Sequence, residues 1–432
     1  SYQSSLDRSE QDIYRYRVDF ERKVSDRVIL RDKAYYTDMK WDSDGTLING
    51  AFPTPIGTLV ARSLVRLDDR QKLFGNQAEA VVSFKTGSVS HTFLGGFEVS
   101  QYTDEFTQDV AFLDLISLTN PVDTTQEPLF FIPQLGTRGD ASSLIFAPYV
   151  VDQISFSSKL QATVGARFDV LDYEDPLNAT NREASELSPL AGIVFTPVPT
   201  VSLYANAGAA FGPPSSTVVG PREPEESRQF EVGAKLSFLD GKGRAGAAVY
   251  DLKRENIAIP DSTGVLRQQG DQRSKGFELD LQAQVGKGFT ATAAYAFNDA
   301  ELTSFAETIQ IALDPPAFAI IDRSGNTPAF APRHLFNLWA TQAIARGFSL
   351  GVGARYVSEQ FIAENNDHRI DGYFLLDAMA SYTKGRITAT LNLKNITGQE
   401  YETRGFGPYS AIPANPFGAY GRIAFAFGSG AR

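Results

Sequence analysis

Apolar and polar residues alternate with a period of two through much of the chain. Phe277-Glu278-Leu279-Asp280-Leu281-Gln282-Ala283-Gln284 places four apolar side chains on one face and four polar ones on the other. Ile387-Thr388-Ala389-Thr390-Leu391-Asn392-Leu393-Lys394 repeats the pattern, as does the run from Phe230 to Phe238. Successive side chains of a strand point to opposite faces, so each segment is a strand with one apolar and one polar side. These segments run to about ten residues, longer than the usual soluble strand of about five or six. A tilted strand needs about 9–11 residues to cross a bilayer.

The connections alternate as regularly as the side chains. Short turns, such as Lys85-Thr86-Gly87-Ser88, Asp240-Gly241-Lys242-Gly243 and Gly286-Lys287-Gly288, follow one end of each segment. Long connections follow the other, over 38–72, 99–143, 170–187, 211–228, 253–274, 299–332, 357–371 and 396–419. An up-and-down transmembrane barrel has this rhythm, with tight periplasmic turns and long extracellular loops. Closure also removes unpaired strand edges from lipid. The reading is an all-β, antiparallel transmembrane barrel, residues 1–432 as one domain, with about 17 strands by period-two pattern. Their centres lie near Tyr16, Leu30, Ala78, Phe93, Tyr149, Val164, Gly192, Tyr204, Val232, Ala247, Leu279, Ala293, Leu338, Val352, Leu376, Leu391 and Ala424. Leu279 and Leu391 are expected to face lipid, and Glu278 and Asn392 the lumen. A soluble β-sandwich array or propeller is the alternative, but blades recurring every 40–50 residues with a signature are not seen.

Composition narrows the functions. The net charge of −11 leaves no basic stripe for phosphates, which argues against nucleic acid. With no cysteine, disulfides, thiolate metal sites and cysteine nucleophiles are excluded. His91, His334 and His368 lie on separate segments without ligand spacing, so no metal site is expected. His334 reads instead as a residue at a strand's extracellular end. No Gly-x-Ser-x-Gly elbow supports a serine nucleophile. Glu278 and Asp280 could suggest acid–base chemistry, but a polar barrel lumen explains them better. No catalytic residue and no cofactor are assigned.

From about residue 222 onward, a series of blocks resembles the barrel of TonB-dependent siderophore receptors. They are Pro224-Glu225-Glu226-Ser227-Arg228-Gln229-Phe230-Glu231, Ala248-Val249-Tyr250-Asp251-Leu252, Gln272-Arg273-Ser274-Lys275-Gly276-Phe277-Glu278-Leu279-Asp280 and Tyr295-Ala296-Phe297-Asn298-Asp299. Ala331-Pro332-Arg333-His334, Gly353-Ala354-Arg355-Tyr356-Val357 and Leu393-Lys394-Asn395-Ile396-Thr397 follow in the family's order. Weaker similarity, as in Gly165-Ala166-Arg167-Phe168-Asp169, reaches back towards the N-terminus. Arg422-Ile423-Ala424-Phe425-Ala426-Phe427 is similar to the family's aromatic terminal strand, with Gly428 to Arg432 following it as a departure.

The resemblance implies a 22-stranded outer-membrane barrel, filled by an N-terminal plug and preceded by a TonB box. Neither plug nor TonB box is found here, and about five strands are expected to lie outside the chain, either on an upstream part or on a second polypeptide. The first strand, near Ile13 to Lys23, and the last, near Arg422 to Phe427, are therefore not expected to pair with each other. The implied function is TonB-dependent uptake of a scarce substrate, most fittingly a ferric siderophore, in an outer-membrane lipid setting. Arginine supplies charge, and tyrosine or tryptophan supplies stacking faces and hydrogen bonds for such ligands. The last loop offers Tyr401, Arg404, Phe406 and Tyr409, and the first long loop Tyr36 and Trp41. For these residues an interfacial aromatic girdle or loop self-packing is the alternative role. A plugless diffusion channel or structural barrel, and a barrel enzyme, are the alternative functions.

Overall fold

Side-chain alternation becomes hydrogen-bonded ladders in the computed structural model, which describes residues 2–133, 135–212, 223–260, 266–313, 316–406 and 410–427. The first strands are β1 (Arg8–Ser25), β2 (Val28–Thr54), β3 (Gly57–Thr86) and β4 (Val89–Ser117). Next come β5 (Thr137–Ser155), β6 (Leu160–Asp175), β7 (Thr180–Val198), β8 (Val201–Gly212) and β9 (Glu225–Phe238). They are followed by β10 (Gly243–Pro260), β11 (Leu266–Val285), β12 (Phe289–Leu313), β13 (Pro316–Asp322), β14 (His334–Ala343) and β15 (Phe348–Val357). The last are β16 (Gln360–Phe361), β17 (Arg369–Ile370), β18 (Tyr373–Lys384), β19 (Ile387–Lys394), β20 (Glu402–Phe406), β21 (Ser410–Pro413) and β22 (Gly418–Phe425).

Eighteen of these strands form one antiparallel sheet, and β16–β17 and β20–β21 are small separate hairpins. β13 pairs only with the outer end of β12, so 17 strands make up the wall, each bonded to the next in chain order. All the strand centres read from the sequence fall on these strands. Among the described residues β1 pairs with β2 and β22 with β19, and no ladder joins β1 to β22, as expected. Among the described residues no helix is long and apolar enough to cross a membrane. That says nothing against strands crossing it.

The long connections need correction. Most of 38–72 is strand, because β2 and β3 stay paired from Val28↔Val82 to Thr54↔Gly57. β3 and β4 likewise pair out to Leu59↔Ser117. The strands are thus up to 30 residues long, not about ten. Once clear of the bilayer a ladder has no lipid-facing side. Its outward side turns polar, as in Asp38-Met39-Lys40-Trp41-Asp42, where Asp38, Lys40 and Asp42 continue the face of Tyr36, while backbone pairing continues.

The faces follow the register. Tyr14, Tyr16, Val18 and Phe20 are exposed on one side of β1, as are Phe74 on β3 and Phe97 on β4. Phe74 and Phe84 bound this apolar stretch of β3; beyond Phe74 the same face carries Lys72, Arg70 and Asp68. Ten residues of tilted strand match a lipid-facing band about 25 Å tall. Leu279 and Leu391 belong to this face, at 46% exposure each. Glu278 and Asn392 point the other way, as their alternation with these leucines requires.

The luminal face carries a repeated packing device. Tyr35 lies over Gly75, Tyr204 over Gly233 and Tyr250 over Gly276, in each case the cross-strand partner. A glycine without Cβ lets the ring lie flat on the neighbouring strand. The ring then covers backbone, and its hydroxyl reaches a further strand: Tyr250 donates to Asn298 Oδ1 at 3.2 Å. Bulky tyrosines therefore line the lumen without filling it.

Candidate functional site

The polar face of β2 to β6 is joined side chain to side chain. Tyr35 donates to Glu98 Oε1 at 2.5 Å, and Arg167 Nη1 reaches Glu98 Oε2 at 2.7 Å. Arg167 Nε also holds Asp169 at 2.8 Å. Beside this set, Tyr149 donates to Glu79 at 2.7 Å, Gln77 Nε2 to the Tyr149 hydroxyl at 2.7 Å, and Lys33 Nζ to Gln77 at 3.0 Å. Five strands thus present two adjoining hydrogen-bonded sets to the lumen, which fix the side chains and leave a polar wall.

Farther from the periplasm, beyond the apolar band, the same face becomes more enclosed. One row runs across the register: Trp41 on β2, Asp69 on β3, Phe106 on β4 and Gly139 on β5. Asp104 and Tyr102 sit on the adjoining rows of β4. Asp69 and Asp104 are 6% and 5% exposed. Burial, then the nearby Asp104 carboxylate, pushes the Asp69 carboxyl up to about 7, while Gln71 donates to its other oxygen at 2.9 Å. Burial first, and the two carboxylates next, also raises the Tyr102 phenol. The upper wall is therefore a place where two buried carboxyls, Asp69 with its pKa raised, and aromatic faces stand together.

The opposite face of this hairpin is covered by chain. Arg62 is fully buried: Nη1 donates to the Tyr2 carbonyl at 3.1 Å and to Asp123 at 3.3 Å, and Nη2 to the Asp114 carbonyl and Thr125. Bonds from the Thr125 hydroxyl, and from the Ser5 and Thr125 amides, hold the Asp123 carboxyl well below its ordinary range. Nearby Arg66 bonds Asp44 and Glu127, both at 2.6 Å, under the Phe131 ring. Arg62 and Arg66 stand at even steps from Phe74 along β3 and share its outer face, so this part of the β4–β5 connection packs on the outer side of the wall. It straps the hairpin from outside rather than hanging over the lumen.

The candidate ligand residues fall in different places. Tyr36 shares the outer face with Tyr16, its ring 6.4 Å away, and with Phe74 opposite, the position an interfacial girdle takes. Trp41 lies on the luminal face, its indole Nε1 donating to Ser9 at 2.9 Å. Tyr401 packs on Tyr373 at 4.4 Å between centroids, against Val357 and Leu375. Arg404 is exposed on β20, opposite Ile412 of β21. Phe406 ends β20, with its side chain outside what is described, and Tyr409 lies outside the described residues. The loop holding Tyr401 and Arg404 is anchored by Asn395, left-handed at φ 49°. Its amide donates to Asp377 at 2.9 Å, and its Nδ2 to the Gln399 carbonyl at 2.8 Å. His334 begins β14, where Tyr295 bonds its Nδ1 at 2.8 Å. Among the described residues no group of three or more His, Cys, Asp or Glu is placed to hold a metal. Sequence reasoning missed Asp69, Tyr102, Asp104 and Arg62. All four lie in what read as long loops, where only the register shows which side chains meet.

A wall of 17 antiparallel strands, apolar outside and ion-paired inside, defines the class: an outer-membrane β-barrel large enough to enclose an open lumen. The family described as TonB dependent receptor-like, beta-barrel matches residues 1–396. The chain belongs to that family. It is 27% identical over 368 residues to the metal-pseudopaline receptor CntO of Pseudomonas aeruginosa PAO1, covering 79% of this chain and 49% of that one. It is 25% identical over 388 residues to the ferrichrome outer membrane transporter/phage receptor of Escherichia coli K12, covering 83% and 49%. The siderophore receptor PiuA from Acinetobacter baumannii superposes with a TM-score of 0.81 at 21% identity, over 98% of this chain and 66% of that one. The chain spans about half the length of these curated relatives. In the solved receptor the unmatched third belongs to the same polypeptide, so a second chain completing the barrel finds no support.

Proposed function

We propose that the protein takes up a ferric siderophore across the outer membrane, with this chain as barrel wall and loops, a plug gating the lumen, and TonB supplying energy from the inner membrane. One observation carries the reading: the luminal face of β2 to β6 carries two hydrogen-bonded polar sets, from Lys33 to Glu79 and from Tyr35 to Asp169, and Tyr35, Tyr204 and Tyr250 lie flat on glycines of the wall. Such a wall suits a removable occupant better than a self-filled barrel. Membership of a family of receptors and transporters supports a role in transport rather than catalysis. Trp41, Tyr401, Arg404, Phe406 and Tyr409 are the proposed ligand contacts. Tyr36 contributes only if the ligand reaches the outer rim.

The test is uptake of radioactive iron presented as a siderophore by cells carrying the full-length receptor. Uptake should stop when the proton-motive force is collapsed or TonB is deleted. Uptake that persists unchanged under both conditions identifies a diffusion channel and refutes the proposal. Replacing Arg404 and Tyr409 together by alanine should weaken ligand binding by roughly tenfold or more, the loss of a charge-assisted bond and a stacking face. Unchanged affinity in a correctly assembled variant leaves both residues as loop packing.

A further inference from the structure

The extracellular wall separates its charges by face. On β1 to β5, beyond the apolar band, three luminal rows cross the register, from Ile13 to Ala141, from Gln11 to Gly139 and from Ser9 to Thr137. No lysine or arginine stands in these rows. Two carboxylates do, Asp104 in the first and Asp69 in the second. The bases of the same stretch point outward. There Lys40 bonds Asp42 at 2.7 Å, Arg66 bonds Asp44 at 2.6 Å, Arg70 lies 3.7 Å from Asp68 and Arg138 lies 3.5 Å from Asp109. Arg15 is the next luminal base of β1 towards the membrane. Its row meets β4 at Tyr102, three strands or about 14 Å away. On the following strands, luminal Arg182 and Arg254 are bonded to Glu223 and Glu225.

The two luminal carboxylates stand among aromatic rings. Trp41 and Phe106 flank Asp69 in its own row, and Tyr102 lies two residues from Asp104 on the same face. Asp69 is buried, and its Oδ1 has no hydrogen-bond partner among the described residues. A buried charge is screened far less than an exposed one. Aromatic faces attract cations and stack on flat neutral groups, and carboxylates repel anions. The upper lumen on this side therefore discriminates by charge, and against anions. Ferric chelates differ in just this property. Three hydroxamates, each singly charged, neutralise iron(III). Three catecholates, each doubly charged, leave the complex strongly anionic.

We propose that the substrate is a neutral or cationic iron(III) chelate of the hydroxamate type, and that Asp69 and Asp104 keep anionic catecholate complexes out of the upper lumen. The inference rests on the siderophore reading above and narrows it to a chemical class. Trp41 and Tyr102 offer faces for such a complex, and exposed Arg404 donates to its oxygens without requiring a net negative charge. The full-length receptor, purified in detergent, is titrated at pH 8, where Asp69, raised to about 7, is mostly ionised. The probes are a neutral ferric trihydroxamate, a ferric trihydroxamate carrying a free ammonium group, and a ferric tris-catecholate. Both hydroxamates should bind at least roughly tenfold more tightly than the catecholate. Changing Asp69 and Asp104 together to asparagine should raise catecholate affinity by roughly tenfold or more and lower the preference for the ammonium-bearing chelate over the neutral one. General damage to the wall would lower all three affinities together and could not produce that opposite movement. If the double variant fails to assemble, the ranking of the three chelates by the parent receptor decides by itself. Catecholate binding as tight as that of either hydroxamate overturns the inference while leaving the siderophore reading in place. So does an assembled double variant that keeps the parent's ranking. Binding of none of the three chelates overturns both.

Discussion

Replacing Leu279 with arginine tests the assignment of faces on which the transport proposal rests. Leu279 is 46% exposed on the outer side of β11, opposite Ala247 and Tyr295. It lies six residues from the periplasmic end of its strand at Val285. At about 3.3 Å per residue and a tilt of roughly 40°, that is about 15 Å into the band, close to the midplane. Arginine at the midplane of a lipid-facing site costs about 2–4 kcal/mol, a loss of roughly 30- to 800-fold in the folding equilibrium. Glu278 is next in the chain but points into the lumen, so Glu278→Gln keeps a polar group in a polar setting and should change stability by less than about 0.5 kcal/mol. The assay is urea titration of the full-length receptor folded into phospholipid vesicles, read by heat-modifiable migration. A clear drop in midpoint for Leu279→Arg beside an unchanged Glu278→Gln is expected. Equal shifts, or a larger one for Glu278→Gln, would place the register one residue out and invert every face assigned above.

Other expectations follow from the extracellular wall and the lumen. Arg62→Met keeps the volume but takes the guanidinium from Asp123, which keeps its Ser5 and Thr125 donors, and from the Tyr2 and Asp114 carbonyls. Leaving acceptors without their donor costs about 1–3 kcal/mol, so limited proteolysis should cut the connection at 117–136 in the variant faster than in the parent. For Asp69 the folded value lies above the ordinary carboxyl value, so the fold favours the protonated form and loses stability as pH rises from about 4 through about 7. Amide exchange in the extracellular parts of β3 and β4, corrected for intrinsic rates, should be better protected at pH 5 than at pH 8, and Asp69→Asn should remove the difference. Gly276→Ala sets a methyl group against the Phe297 carbonyl and the Tyr250 ring. It should lower the urea midpoint by the roughly 1–3 kcal/mol typical of overpacking, whereas Gly421→Ala, with nothing within 4 Å, should not.

The sequence is legible where physics imposes a two-residue rule, and only there. Within the bilayer each strand must be apolar on one side, so strand centres from Tyr16 to Ala424 and the faces of Leu279 and Leu391 can be read from single segments. Above the bilayer water meets both sides and the rule lapses. Asp38 to Asp42 still alternates, but its apolar residues have moved to the luminal side, so no lipid-facing stripe marks it as wall although Met39↔Gln71 and Trp41↔Asp69 are paired in β2 and β3. The block around Asn395 is legible only by its resemblance to the family. Its reason, a left-handed residue bonded to Asp377 and Gln399, depends on strands distant in sequence.

The same reasoning explains why the functional residues are the hardest to see. Glu98 and Arg167 are 69 positions apart, and Tyr35 and Glu98 are 63 apart; each appears in its own segment as an ordinary polar residue facing the lumen. Only the register brings them together, and register is a property of the whole barrel, since a slip at one hairpin carries every later strand with it. The flat Tyr–Gly pairs help to fix that register, because Tyr204 can lie down only where Gly233 is its direct partner. A slip of one residue would set the ring against Val232 or Ala234, whose side chains point to the lipid, and would turn the luminal charges outward as well. Local packing on the luminal wall and the placing of its polar side chains are therefore one constraint. A glycine in this barrel holds the polar face in register as surely as any ion pair.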